Sequence, residues 1–292
     1  MTTASPALPP ILDHADALLA RYDVVFCDVW GVVHDGRTAY AEGCAALARF
    51  RKRGGTVILV TNAPRAADAV ARILAEKHVP DAAWDAIVSS GEITRAHVAH
   101  AGYEAVHHIG PDRDLDLFET ITARRVSLAD ADAIVATGLV HDTRETGEDY
   151  RGPLAPARAR GLELVCANPD LVVDVGGTML PCAGAIAAVY EAMGGPVYWA
   201  GKPFRPAYEM AHASAQTLRQ ADVPLARILA IGDAVRTDIA GASNFGIDSL
   251  FIGQGIHREQ VLDAHHRLIP DRLARLLSGD APRPVAAMAA LA

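Results

Sequence analysis

Short apolar runs alternate with amphipathic segments along most of the chain. The runs Val24–Cys27, Thr56–Val60 and Arg227–Ile231 contain almost no polar residue, which predicts strands buried on both faces of a sheet. Between them, apolar residues recur at a helical spacing, as in Cys44–Lys52, which ends at Gly54–Gly55. Sequential strand–helix–strand units favour an α/β protein with a doubly wound, Rossmann-like parallel sheet and helices on both faces.

The same patterns predict further elements. Helices are expected over Ile11–Arg21, Pro64–Lys77 and Glu92–His100. Further core strands are expected at Ala86–Ser89, Val197–Gly201 and Asp248–Ile252, and the chain is expected to finish with helices and an Ala- and Pro-rich tail.

Between residues 103 and 195 the strand–helix alternation restarts without the polar residues that follow the core strands. This segment is predicted to be an inserted α/β cap domain, so that residues 1–102 and 196–292 form the core. Its predicted strands are Ala105–Ile109, Ala133–Thr137, Leu162–Ala167 and Leu171–Val175, and its predicted helices are Arg113–Arg124, Thr143–Arg160 and Cys182–Met193.

Polar side chains stand where four of the predicted core strands end. Asp28 follows the first strand, Thr61 and Asn62 the second, and Lys202 and Asp233 two later ones. In an open parallel sheet, ligands bind outside the carboxyl ends of the strands. A strand-terminal Asp by itself is more typical of a turn, but four such ends together predict a site with a nucleophile, a hydroxyl and amide for phosphate oxygens, a cation and an acid.

Composition narrows the classes of function. A length of 292 residues favours two domains. A net charge of −8 argues against a nucleic-acid surface, which requires clustered Lys and Arg. No apolar run approaches the roughly 20 residues that span a bilayer, and no basic-then-apolar leader is visible, so a cytoplasmic protein is expected. The cysteines and histidines lack metal-ligand spacing, and the four cysteines are expected to be buried thiols.

The order of these motifs resembles the haloacid dehalogenase superfamily of phosphohydrolases. The subgroup it is most similar to contains NagD-like and 4-nitrophenyl-phosphatase-like enzymes (class IIA), which carry a large α/β cap. The matching segments are Asp28, Thr61–Asn62, Gly201–Pro203 and Gly232–Asp238, together with Ala167–Asp170 inside the predicted cap. The resemblance covers nearly the whole chain.

The resemblance implies an aspartyl-phosphate mechanism with Asp28 as the nucleophile. It also implies a Mg²⁺ ion held by Asp28, the backbone carbonyl of Trp30 and Asp233, since Mg²⁺ prefers oxygen ligands. Lys202 would neutralise the nucleophile and the phosphate together. Asp238 is expected to orient a metal-bound water or Lys202, with helix capping as the rival role.

Other residues leave alternatives open. Asn168 and Asp170 are expected to build a turn around Pro169 rather than to contact substrate. In the family's phosphatases the residue two positions after the nucleophile is a second Asp that acts as general acid and base, and here it is Trp30. Asp35 and His34 on the same loop are the alternative proton donors, although a turn at Asp35–Gly36 explains Asp35 sufficiently.

The sequence therefore predicts a Mg²⁺-dependent phosphatase of small phosphomonoesters such as sugar phosphates. Trp30 keeps two alternatives open: a phospholigand-binding or regulatory protein with impaired turnover, and transfer chemistry at carbon. The expected partner is a small phosphorylated metabolite, with no nucleic acid and no membrane. By analogy with capped relatives, a homodimer through the cap is expected.

Overall fold

A computed structural model describes residues 8–119, 121–175 and 178–292. The chain divides into two compact units. The first contains Met1–Leu59, Leu74–Ala86 and Ala211–Ala292, and the second contains Val60–Ile73 and Ile87–Met210. The predicted core and cap boundaries at residues 102 and 195 stay a prediction, and residues 1–7 of the predicted core lie outside the described ranges.

The apolar runs form strands close to the predicted positions. In chain order the strands are β1 Val24–Cys27, β2 Thr56–Thr61, β3 Ala86–Ser89, β4 Ala105–Ile109, β5 Arg124–Arg125, β6 Ala133–Ala136, β7 Glu163–Cys166, β8 Val172–Val175, β9 Thr178–Pro181, β10 Val197–Trp199, β11 Ile228–Gly232, β12 Asp248–Ile252 and β13 Ala286–Met288. Every residue of β1 and β11 is buried, as expected for central strands of a parallel sheet.

Amphipathic segments form the helices between these strands. In chain order they are α1 Asp16–Leu19, α2 Ala41–Lys52, α3 Ala67–Glu76, α4 Ser90–Ala101, α5 Arg151–Ala159, α6 Ala183–Ala192, α7 Arg205–Arg219, α8 Ala240–Phe245, α9 Arg258–Val261 and α10 Pro270–Leu276. Helix α4 is capped at both ends. The Ser89 hydroxyl accepts the Glu92 N–H at its start, and Gly102, at φ 71°, ends it.

The strands assemble into a six-stranded sheet of order β13-β12-β11-β1-β2-β3 and a five-stranded sheet of order β10-β7-β6-β4-β5. The pairings of β1 with β11 and β2, and those within the five-stranded sheet, are parallel. In the first sheet the chain builds outward from β1 in one direction and from β11 in the other, so the strand order reverses between β1 and β11. The predicted α/β fold with a doubly wound parallel sheet and a second α/β region is confirmed.

The structure corrects the prediction that Val197–Gly201 is a strand of the core sheet. Val197–Trp199 (β10) pairs in parallel with Leu164–Cys166 of β7 and belongs to the five-stranded sheet, not to the six-stranded one. A short apolar run fits either sheet equally well, so the hydrophobic pattern does not decide which one it joins.

Three predicted helices are also corrected. The Ile11–Arg21 helix is reduced to α1, because Ile11 forms a bridge with Ala287 and the Leu12 N–H donates to the Ala287 carbonyl (2.9 Å). Asp112–Glu119 is a 3₁₀ helix, and strand β5 follows where the helix was predicted to end; Thr120 in that segment lies outside the described residues. The Thr143–Arg160 helix is a 3₁₀ turn, Gly147–Tyr150, followed by α5.

Besides β5, the strands β9 and β13 were missed. Strand β9 forms a small antiparallel sheet with β8, and β13 pairs with β12 inside the segment predicted as a tail. The sequence of β13, Ala-Ala-Met, has weak intrinsic strand propensity, so its conformation comes from pairing. The four cysteines are buried thiols, as predicted. None of the helices in the described ranges has the length and apolar character needed to cross a bilayer.

Candidate active site

The predicted nucleophile and acid follow two adjacent parallel strands. Cys27 of β1 pairs with Ile231 of β11; Asp28 follows Cys27 directly, and Asp233 follows Gly232, the last residue of β11. The Asp28 N–H donates to the Ile231 carbonyl (2.8 Å), which extends the ladder by one residue. Because the strand order reverses between β1 and β11, both acids stand at the position where doubly wound folds bind ligands.

Three carboxylates converge at this point. Oxygen atoms of Asp28, Asp233 and Asp238, one from each residue, all lie within 4.8 Å of one another. Asp233 and Asp238 are only 2% and 3% exposed. Negative charges held this close in a desolvated place repel each other unless a cation offsets them. An all-oxygen set of acids is the ligand chemistry that a hard divalent cation such as Mg²⁺ prefers, so the residues present fit a metal.

Asp238 reaches this cluster from the first turn after β11. Residues Val235–Ile239 form a π-helical turn, a feature often found at functional sites. The Asp238 carboxylate accepts the Ala234 N–H (3.1 Å), so the residue also caps the turn. A Cβ added at Gly232 would lie 2.2 Å from the Asp238 Cβ and Cγ, and glycine therefore lets Asp238 pack against the strand end. Asp238 therefore makes the capping contact and lies beside Asp28 and Asp233, while its predicted role in orienting a metal-bound water or Lys202 stays a prediction.

Two glycines enclose Asp233. A Cβ at Gly31, whose φ is 80°, would lie 2.5 Å from the Asp233 Oδ2, and one at Gly255 only 1.8 Å from it. The Ile256 N–H donates to the same oxygen at 2.5 Å. Sequence reasoning missed Gly255 and Ile256, although a Gly-x-Gly segment directly after the β12 strand is a signal that the backbone approaches another group closely.

The loop that follows Asp28 is fixed by its own contacts. The Gly31 N–H donates to the His34 carbonyl (2.8 Å), and the Gly36 N–H donates to the His34 Nδ1 (2.9 Å). Gly36, at φ 90°, lies beside the Trp30 indole: a Cβ there would be 3.3 Å from the Trp30 Nε1. The Lys77 ammonium donates to the Gly36 carbonyl. Trp30 is therefore part of an ordered turn, and the metal role predicted for its carbonyl stays a prediction.

Neither acid predicted as an alternative proton donor is poised for that task. Burial, with the nearby Lys77 charge, lowers the pKa of His34 to about 4, so its ring is neutral at pH 7. The exposed Asp35 carboxylate accepts the N–H groups of Thr38 (2.8 Å) and Arg37 (2.7 Å), and these bonds lower its pKa. Both side chains hold the turn, which agrees with the structural explanation predicted for Asp35.

His34 should make stability depend on pH. In the unfolded chain a histidine takes up a proton near pH 6.5, whereas the folded protein resists until about pH 4. The free energy of unfolding should therefore fall as the pH drops through this window, by up to about 3 kcal/mol from this one group. His34→Asn keeps an acceptor for the Gly36 N–H and removes the titration. Urea unfolding at pH 7 and pH 4.5 should show a smaller loss for His34→Asn than for wild type; equal losses would contradict this account.

The phosphate-binding residues predicted from the sequence belong to the second unit. Thr61 ends β2, and its hydroxyl accepts the Ala63 N–H (3.3 Å). Asn62 and Lys202 are 6% and 4% exposed, and the Asn62 side chain is hydrogen-bonded to the Lys202 backbone. The phosphate role of these residues, and the catalytic role of Asp28, stay predictions.

The segment around Pro169 forms the predicted turn and does more. The Asn168 side-chain oxygen accepts the Asp170 N–H (3.1 Å), which is Asx-turn geometry. The Asp170 carboxylate in addition accepts the Asn62 side-chain amide (2.9 Å), a contact across 108 residues of sequence. Local turn chemistry gives no sign of this second contact.

Comparisons with known proteins bear on the whole chain. Two family models match, one described as haloacid dehalogenase-like hydrolase over residues 25–122 and one described as HAD-hydrolase-like over residues 199–276. A crystal structure of a haloacid dehalogenase-like hydrolase from Brucella suis 1330 is 41% identical, with a TM-score of 0.83, covering 96% of this chain and 100% of that one.

Two further relatives have specific descriptions. The 5'-nucleotidase YutF of Bacillus subtilis (strain 168) is 25% identical over 251 residues, which is 84% of this chain and 93% of the relative. Glycerol phosphate phosphatase Rv1692 from Mycobacterium tuberculosis, in complex with magnesium, is 26% identical, with a TM-score of 0.63, covering 82% of this chain and 70% of that one. Taken with the family models and the Brucella structure, the strand order and the acids at the reversal point make the chain a member of the haloacid dehalogenase-like hydrolases.

Proposed function

We propose that this hydrolase is a phosphatase of small phosphomonoesters that depends on a divalent cation, with Mg²⁺ as the natural ion. The observation that carries the proposal is the convergence of Asp28, Asp233 and Asp238 where the strand order reverses. The names of two relatives support the substrate class, because nucleotides and glycerol phosphate are both small alkyl phosphomonoesters.

In the proposed reaction, an Asp28 carboxylate oxygen attacks phosphorus. A new P–O bond forms and the P–O bond to the leaving group breaks, so that an alkoxide departs and takes a proton from water. Water then attacks the aspartyl-phosphate, which releases inorganic phosphate and regenerates Asp28. Asp28 and Asp233, with the Trp30 carbonyl implied by the family resemblance and with Asp238 beside them, would hold the cation, which would supply positive charge next to the transferring phosphoryl group. By the family resemblance, Lys202 contributes a second positive charge to that group.

The test measures inorganic phosphate released from 4-nitrophenyl phosphate, nucleoside 5'-monophosphates, glycerol phosphates and sugar phosphates. Release from at least one ester with Mg²⁺, and its loss in EDTA, is the expected result. Asp233→Ala should raise the Mg²⁺ concentration required for half-maximal rate. Absence of release from every ester, or release that is equal in EDTA, would overturn the proposal.

Trp30 supports a second candidate, a phospholigand-binding protein with slow turnover. General acid–base assistance contributes roughly 10²–10⁴-fold in rate, and His34 and Asp35 are both engaged in the turn. Isothermal titration with the same esters distinguishes the two candidates: micromolar binding without consumption favours the second, and rapid consumption excludes it.

Trp30→Asp should change the preference for the leaving group. Without a proton donor, wild type should hydrolyse 4-nitrophenyl phosphate much faster than alkyl esters, since 4-nitrophenol departs without protonation. The added carboxyl should narrow the ratio of the two kcat/KM values by roughly 10²-fold. Asp35→Asn is the control and should leave the ratio unchanged. A wild type without leaving-group preference, together with an unaffected Asp35→Asn variant, would mean that the proton comes from elsewhere.

A further inference from the structure

The side-chain amide of Asn62 is fully occupied by protein contacts. Its Nδ2 donates to the Asp170 carboxylate (2.9 Å) and to the Lys202 carbonyl (3.0 Å). Its Oδ1 accepts the Lys202 N–H (2.8 Å) and lies 3.5 Å from the Ser90 hydroxyl. A primary amide has two donor hydrogens and two acceptor lone pairs, and this arrangement uses all four. No donor is left for a phosphate oxygen.

The two bonds to Lys202 grip its backbone on both sides. The Asn62 Oδ1 accepts the Lys202 N–H, and the Asn62 Nδ2 donates to the Lys202 carbonyl. Both peptide units that flank the Lys202 Cα are therefore bonded to one side chain. Gly201 permits this approach: a Cβ there would lie 2.6 Å from the Asn62 Oδ1, 2.3 Å from the Ser90 hydroxyl and 2.8 Å from Pro169. The direction in which the Lys202 side chain leaves the backbone is therefore set by Asn62.

Asp170 reinforces the orientation of the Asn62 amide that its bonds to Lys202 require. A carboxylate only accepts, so it holds Nδ2 toward itself and leaves Oδ1 to face the Lys202 N–H. Asp170 is itself fixed by the Asn168 side chain through the Asx turn. Helix α6 packs closely against the Asp170 backbone, since a Cβ on Gly184 would lie only 2.5 Å from the Asp170 carbonyl oxygen.

From this geometry we propose that Asn62 is a positioning residue for Lys202, that its side chain is not a phosphate ligand, and that Asp170 holds that side chain in place. The bonds tie the Asx turn after β7 to the lysine after β10, although 140 residues separate Asn62 from Lys202. The proposal rests on the proposed function, in which the Lys202 ammonium stabilises the transferring phosphoryl group.

The test is a double-mutant cycle with Asn62→Ala, Lys202→Ala and their combination, assayed on 4-nitrophenyl phosphate with Mg²⁺. Asn62→Ala should lower kcat by on the order of 10²-fold, because a misplacement of about 1 Å has that effect, and should change KM little. In the Lys202→Ala background the same change should lower kcat by less than about 3-fold, since the group being positioned is already gone. Additive effects would overturn the proposal.

Ser90→Ala is the matched control, because it removes a buried neighbour of the same Oδ1 without touching Lys202; its kcat should stay within about 3-fold of wild type. Asp170→Asn is the milder variant if Asn62→Ala does not fold. It removes the negative charge from the group that holds the Asn62 amide and should lower kcat by roughly 10-fold without loss of the fold.

Crystal structures separate failure of this inference from failure of the proposed function. In Asn62→Ala or Asp170→Asn the Lys202 Nζ should move by about 1 Å or more, and in Ser90→Ala it should stay in place. An unmoved Nζ overturns the positioning role even if the enzyme is active. A wild type that hydrolyses no phosphomonoester, with Nζ displaced as expected, overturns the proposed function alone.

Discussion

Asp28→Asn should lower phosphate release by about 10⁴-fold or more, the scale seen when a covalent nucleophile is removed. The substitution keeps the size and shape of the side chain at the end of β1. It removes the negative charge that is proposed to attack phosphorus, and with it one of the three carboxylates of the acid cluster. Phosphate release at saturating Mg²⁺, followed over hours, measures the effect.

The same substitution should not destabilise the metal-free protein. Asp28 is one of three carboxylates within 4.8 Å of one another, so neutralising it relieves repulsion. Thermal unfolding in EDTA should therefore give Asp28→Asn a midpoint equal to or above that of wild type. Added Mg²⁺ should raise the midpoint of wild type by more than it raises the midpoint of Asp28→Asn. Asp35→Asn, in the exposed turn, is the control for activity. An Asp28→Asn variant with wild-type turnover would remove Asp28 from the mechanism.

Gly255→Ala should abolish metal binding at millimolar Mg²⁺. The new Cβ would lie 1.8 Å from the Asp233 Oδ2 and 2.3 Å from its Cγ, so the carboxylate has to leave its place. Its bond to the Ile256 N–H would be lost as well. Mutation of a residue that supports a metal ligand typically lowers metal affinity by about 10- to 100-fold. Displacing the proposed ligand Asp233 itself should have a larger effect, so we expect the Mg²⁺ affinity to fall by about 10²-fold or more.

Gly253→Ala is the matched control in the same segment. A Cβ there would approach the ends of the Leu268 (2.9 Å) and Leu262 (3.1 Å) side chains, and Asp233 is not among its three nearest neighbours. The Mg²⁺ concentration for half-maximal rate, measured for both variants alongside their thermal unfolding, separates loss of the metal from loss of the fold. Equal Mg²⁺ requirements for Gly255→Ala and Gly253→Ala would show that the position of Asp233 does not matter for the metal.

The central part of the site was predictable from the sequence because it depends on local pattern and on a general property of parallel sheets. The runs before Asp28 and Asp233 are apolar at every position, so each had to be a buried strand that ends at the acid. Strands β1 and β11 were not known to be neighbours, but a doubly wound sheet brings the carboxyl ends of its strands to one edge. The family resemblance added the order of the motifs.

The partners of Asn62 were not predictable in this way. An asparagine after a strand has the same donors and acceptors whether it holds a phosphate or a backbone, and the sequence favoured the phosphate. The structure shows its amide engaged with residues 108 and 140 positions away, a contact that no local period records. Gly255 was missed for a similar reason, since its importance comes from the Asp233 side chain pressed against it.

By itself, the sequence determined the strand–helix alternation, the acids at the strand ends and the family, because burial on both faces and turn chemistry act over a few neighbouring residues. Only the tertiary structure decided that β10 joins the five-stranded sheet, that Ala286–Met288 is a strand, and that the Asn62 side-chain amide is hydrogen-bonded to the Lys202 backbone. Each of these features depends on hydrogen bonds between groups that are distant in sequence. The pattern of short apolar runs is compatible with several such pairings, so it does not specify which of them forms.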